Sequence, residues 1–138
     1  MYLNYAEAVN EYYGEAQQKE VLTYLNAIRD RAGIPGYEGS YSQNDMREMI
    51  RHERKIELCY ECQRFFDARR WFIAHGPNGV FNHNEYGLDM SKGENATDKE
   101  FFTMTEVALK RFDMKHYFMP IKASECELNT ELVQAPFY

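Results

Sequence analysis

Met46 to Trp71 reads MREMIRHERKIELCYECQRFFDARRW, and the fold turns on whether this charged run is a helix or a redox or metal site. It contains a Cys-x-x-Cys pair, Cys59 and Cys62, and the chain has only one further cysteine, Cys126. A structural zinc site of the ribbon type needs a second such pair, and a thioredoxin-like site needs its first cysteine at a helix N-terminus that follows a strand. The sequence supplies neither context. Positions three apart share a helix face, so the two thiols are expected to act as small, buried or half-buried apolar residues inside one long helix.

That helix is expected over residues 43–75. Ser42 with Asp45 three residues on forms a capping signal, and no proline or glycine follows until Gly76 and Pro77. Basic residues at 47, 51, 54, 55, 64, 69 and 70 interleave with acidic ones at 45, 48, 53, 57, 61 and 67, giving i,i+3 pairs Glu48/Arg51, Glu61/Arg64 and Asp67/Arg70. Most of these charges read as a solvated, ion-paired face. A subset, Arg51, Glu53, Arg54, Glu57, Arg64, Asp67 and Arg70, is expected to form half-buried ties to the C-terminal tail, which has little apolar periodicity of its own.

Upstream, residues 1–35 read as a helical hairpin. Tyr2, Tyr5, Ala6, Val9, Tyr12 and Tyr13 fall near the helical repeat before a break at Gly14, and Val21, Leu22, Leu25, Ile28 and Ala32 form a second stripe ended by Gly33 and Pro35. Downstream, residues 76–138 are rich in Gly, Asn and Asp. They are expected to hold loops, a short antiparallel strand pair near 86–90 and 101–109, a helical turn at SECEL and an extended tail. The fold class is therefore mainly α, a tetratricopeptide-like hairpin plus a long helix, with a loop-rich C-terminal region, in a single domain over 1–138.

Composition narrows the function. The 138 residues carry a net charge of −6 from 22 acidic and 16 basic side chains. No basic block long enough to track a phosphate backbone is present, so nucleic acid is not an expected partner. The opening MYLNYAEAVNEYY lacks the features of a signal peptide, which leaves a cytoplasmic protein or an internal piece of a longer one. His52, His75, His83 and His116 show no metal-binding spacing, and no nucleophile motif stands out. No metal or cofactor is expected. Glu57 and Glu61, at i,i+4, imitate a glycosidase pair but lie on one helix among arginines, where ion pairing is the better reading. Asn95 opens an Asn-Ala-Thr triplet of the kind that arises often by chance.

Aromatic residues, with Tyr 11, Phe 9 and Trp 1, make 15% of the chain. Flat rings stack on sugars, and rings on loops are less committed to a core. Tyr37, Tyr41, Phe81 and Tyr86 are the ligand contacts expected on that ground.

Taken in order, YLNYAEAVNE, LNAIRDRAGIP, the 46–71 run and the closing KHYFMPIKASECELNTELVQAPFY resemble the C-terminal part of the SusD/RagB family of outer-membrane nutrient-binding lipoproteins. That family carries IRHERRIEL, then F-E-G-x-R-x-F-D-x-R-R-W, and ends in P-I-P-x-S-E and N-P-G-Y segments. The resemblance covers nearly the whole chain outside about 74 to 100. Cys59 and Cys62 stand where the family has a small residue and a glycine, Lys122 replaces a proline, and APFY replaces NPGY. The resemblance implies a surface-exposed outer-membrane protein that captures oligosaccharides, or in some members peptides. It implies delivery to a SusC-like TonB-dependent transporter, with no enzymatic activity and no cofactor. No binding residue carries over by motif. The alternative is a stand-alone helical-repeat module that binds a protein. In either case, aromatics on both faces of residues 2–13 exceed what one partner helix can cover, and the isolated chain is expected to self-associate there.

Overall fold

The computed structural model describes residues 1–91 and 93–138. The chain divides into two compact units, residues 1–64 and 65–138.

The first unit is a three-helix arrangement. Helix α1 (Tyr2–Tyr13) buries Leu3, Ala6, Val9 and Asn10, stops at Gly14 in the left-handed region (φ 58), and passes through a 3-10 turn, Gly14–Gln17. Helix α2 (Gln18–Arg31) buries Val21, Leu25 and Ile28. Its last carbonyls are satisfied in the glycine-capped manner: Ile34 N–H donates to Arg29 O at 3.0 Å and Gly33 N–H to Asp30 O at 2.9 Å. Helix α3 (Gln43–Glu57) starts as expected at Ser42, whose Oγ accepts from Asp45 N–H at 3.1 Å. Its Met46 and Ile50 complete the core with the stripes of α1 and α2. Reciprocal amide bonds lock the pieces: Asn10 Nδ2 donates to Gln43 O and Gln43 Nε2 to Asn10 O. Likewise Asn26 Nδ2 donates to Tyr37 O while its Oδ1 accepts Tyr37 N–H. Gly36 lets this loop approach, since a Cβ there would lie 2.8 Å from Asn26 Cγ.

The continuous helix expected over 43–75 is corrected. Helix α3 ends at Glu57, residues 58–62 are a turn, and helix α4 spans Gln63–Arg70. The core-facing stripe of α3 runs Met46, Ile50, Glu53, Arg54 and closes with Leu58, which packs on the core. The next stripe position, Glu61, is exposed. Beyond that point the helix has no apolar face to bury, and tertiary burial is what sustains helices of this length. Glu61 N–H closes the turn on Leu58 O at 3.1 Å, with Tyr60 (φ 68) and Cys62 (φ 58) left-handed. Both Cys59 and Cys62 are exposed. They are therefore not the packed helical residues expected from the sequence.

The second unit has a small core of Ala68, Ala74 and Phe112, ringed by Ile73, Val80, Phe81 and Tyr117. The antiparallel pair is present as β1 (Asn84–Asp89) and β2 (Thr103–Leu109), with Leu88 opposite Met104, Tyr86 opposite Glu106 and a bulge at Glu85/Tyr86. A Cβ at Gly87 would meet Val107 Cγ2 at 2.7 Å, so a larger residue there would displace that exposed side chain. The tail forms a 3-10 turn (Met114–Tyr117) and helix α5 (Ala123–Leu128). The architecture is mainly helical and tetratricopeptide-like with a short two-stranded sheet.

Candidate functional site

In the first unit, the charged side chains of α3 face the helical hairpin. Glu53, 2% exposed, accepts from Arg29 Nη1 of α2 and, at 2.8 Å, from the Tyr37 hydroxyl. Arg29 also lies over the Tyr37 ring, 4.1 Å from its centroid. Burial, and then the bond to Glu53, push the Tyr37 phenol above its usual range, so it stays a donor to the carboxylate. Buried Arg54 donates to Asn4 Oδ1 at 2.6 Å and lies 3.8 Å from Glu7, and Arg31 pairs with Glu57. Arg51 pairs with Glu48 at 3.0 Å, Asp67 with Arg70 at 2.9 Å, and Arg64 is half-buried. Glu53, Arg54 and Glu57 clamp α3 onto α1 and α2, because those helices flank the same face.

A tie to the tail that the sequence does not single out comes from α4. Arg69 donates through its two terminal nitrogens to the carbonyls of His116 and Tyr117, and lies 5.0 Å from the Phe65 ring centroid. The acceptors are backbone atoms, which leave no mark in a sequence. Only the planar fork of arginine serves two adjacent carbonyls in this way. Asn82 adds a second tie, donating to Gly76 O at 2.8 Å and Phe112 O at 3.1 Å while accepting from Phe112 N–H. Gln134 holds Ile121 by both its N–H and C=O, each at 2.8 Å.

Two recesses could admit a ligand. A cleft of about 360 Å³ in the first unit is lined by Tyr2, Leu3, Ile28, Arg31, Glu57 and Glu61, among others. The i,i+4 relation assumed for Glu57 and Glu61 is lost, because α3 ends between them. Glu57 is engaged by Arg31. A second, more polar recess of about 410 Å³ is lined by Gly76, Pro77, Asn82, Arg111 and Asp113. Both offer hydrogen-bonding groups in volumes suited to small ligands. Among the described residues, no cluster of three or more His, Cys, Asp or Glu side chains could hold a metal.

The four expected ligand rings are dispersed. Tyr37 and Tyr41 make an edge-on pair at 6.5 Å and pack on the first core, with Tyr41 OH donating to Glu38 O. Phe81 packs in the second core, stacked on Phe65 at 6.2 Å. Tyr86, on β1 rather than a loop, is 59% exposed. Tyr12, 81% exposed, and Tyr13 are further bare rings, an edge-on pair at 4.6 Å near the end of α1.

Known proteins supply the context. The chain is 36% identical over 89 residues to SusD-like protein P2 of Formosa agariphila, covering 54% of this chain and 16% of that protein. It is 40% identical over 76 residues to SusD-like protein P25 of the same organism, covering 53% and 14%. Its fold resembles the crystal structure of a SusD-like protein, BF3747, from Bacteroides fragilis, with a TM-score of 0.76 at 29% identity, covering 99% of this chain and 24% of that one. BT4246 is similar, with a TM-score of 0.69 at 33% identity over 99% and 22%. The chain thus spans about a quarter or less of the length of these relatives. The model of the SusD family matches residues 1–138, and with the helical hairpin, the charged run and the tail all in place, the chain belongs to the SusD family.

Proposed function

We infer that this chain is part of a surface glycan-binding protein of the outer membrane, which captures oligosaccharides and passes them to a SusC-like TonB-dependent transporter without breaking a bond. The observation that carries the reading is the family match along residues 1–138. The cleft of the first unit supports it, setting the exposed Tyr2 ring beside Arg31, Glu57 and Glu61, the pairing of ring and polar groups by which sugars are held. Among the described residues no helix is long and apolar enough to cross a membrane.

Calorimetric titration with a panel of oligosaccharides tests this. Saturable binding weakened about tenfold, roughly 1.4 kcal/mol, by Tyr86→Ala supports stacking on that ring. The same test applies to Tyr37, Tyr41 and Phe81, with circular dichroism as a control because these three also pack in cores. The absence of saturable binding, or binding that survives alanine at all four, removes these residues from the proposal. Co-purification with a SusC-like transporter tests the partnership.

Self-association of the isolated chain through residues 2–13 remains part of the reading. Tyr2, Tyr5, Tyr12 and Tyr13 are exposed opposite the buried stripe of α1. Tyr2 and Tyr5 nevertheless have ring contacts with Tyr24. A monomer by light scattering at high concentration would refute it.

A further inference from the structure

Cys59 and Cys62 are both exposed, whereas Cys126 is half-buried. They share the 58–62 turn, which the Glu61 N–H bond to Leu58 O closes and which α3 and α4 bracket on either side. We propose that the pair is a dithiol modification site that forms an intramolecular disulfide by exchange with a small-molecule disulfide.

Three observations carry this. The first is spacing. Two residues separate the cysteines and both lie in the 58–62 turn, so reaching the about 4.4 to 6.8 Å between Cα atoms that a disulfide spans involves this short turn and neither flanking helix. The second is access. Thiol–disulfide exchange requires an open approach to sulfur, and both thiols are at the surface with no burial to block it. The third is conformation. Cys62 is left-handed at φ 58, two residues after Tyr60 at φ 68, where glycine would sit without steric cost. A side chain kept at such a position points to a use for it. Metal is the poorer occupant, since no third ligand gathers around the pair among the described residues.

The exchange balances. One cysteine thiolate attacks the small disulfide, forming a mixed disulfide and releasing one thiolate. The second cysteine thiolate then attacks the cysteine sulfur of that mixed disulfide, forming the Cys59–Cys62 bond and releasing the other. Two cysteine thiols are oxidised, one small disulfide is reduced, and the two protons go to solvent or to the released thiolates.

The test is incubation of the full chain with oxidised glutathione, read by intact mass and peptide mapping. The expected product has lost two hydrogen atoms, retains no glutathione, and resists alkylation at Cys59 and Cys62 together, at rates reduced roughly tenfold or more. Cys59→Ser should trap one glutathione on Cys62, Cys62→Ser one on Cys59, and Cys126→Ser should behave as the parent. Circular dichroism establishes that each variant is folded. Two retained glutathiones on the parent, no reaction at either thiol, or a bond to Cys126 or between chains would overturn the proposal.

Discussion

The two units hold themselves together by different means. Residues 1–64 use helix faces: aliphatic stripes at helical spacing meet in one core, and a seam in which buried Glu53 and Arg54 meet half-buried Arg29 and Tyr37 and exposed Asn4 fixes the helices' facing. Residues 65–138 have short elements and, among the described residues, a small core of buried Ala68, Ala74 and Phe112. Their cohesion comes from side chains that bind backbone atoms, Arg69, Asn82 and Gln134, and from ring-on-ring contacts around Tyr117. Periodic burial suits regular elements. An irregular chain has no such period, and its backbone polar groups must be satisfied one at a time.

The largest expected effect lies in the first unit. Glu53→Ala leaves Arg29, only 18% exposed, without its carboxylate and strips the Tyr37 hydroxyl of its acceptor. The loss should be about 3 kcal/mol or more, read as an earlier urea midpoint of the helical signal. A loss under about 1 kcal/mol would mean the seam behaves like a surface pair and the contrast between units is overstated.

Next comes Arg69→Ala, which removes two charged hydrogen bonds and a ring contact and should cost about 2 to 3 kcal/mol. Hydrogen exchange should speed up at residues 112–118 and stay unchanged at residues 46–57. Arg69→Lys should rescue little, because one ammonium cannot copy the fork. Full rescue would reduce Arg69 to a charge.

Smaller and of opposite sign is Cys62→Gly. Relieving a left-handed non-glycine residue should stabilise the chain by about 1 kcal/mol. An unchanged or lower melting point would show that the turn is not strained.

The smallest effect concerns acid. Arg47, by its hydrogen bonds first, holds the Glu11 carboxyl below the usual glutamate range. A lowered folded pKa gives stability that is present above the unfolded value and lost as pH falls through the folded one. Glu11 is 43% exposed, so solvent screening keeps the contribution under about 0.5 kcal/mol. Arg47→Ala should flatten the acid limb of the stability curve between those two pH values, and an unchanged limb would remove the pair from the account.

The comparison also explains what the sequence made legible. The hairpin, the Ser42 cap, the Gly14 break and the strand pair each rest on a local signal, and all are where their residues put them. The turn at 58–62 was hidden because Tyr60 and Cys62 take the conformation that glycine normally announces. The charges of α3 were visible, but their partners Arg29, Arg31 and Asn4 belong to other helices and no spacing rule reaches them. Arg69 was hidden most completely, since its acceptors are carbonyls. Of the candidate rings, Tyr86 has the exposure a ligand contact needs, while Tyr37, Tyr41 and Phe81 pack against cores, which no local spacing announces.

Tyr117 has one more consequence. Its phenolic oxygen accepts Ala74 N–H at 3.0 Å and lies 2.9 Å from His75 Nδ1. A hydroxyl oxygen has two acceptor sites and one hydrogen, so the direction of its bond to Nδ1 follows the imidazole tautomer. Held by that bond, the ring nitrogens should give 15N resonances distinct from the averaged pair of a freely exchanging histidine. Tyr117→Phe should bring them back toward that average, making His75 a built-in spectroscopic reporter of whether the second unit is folded.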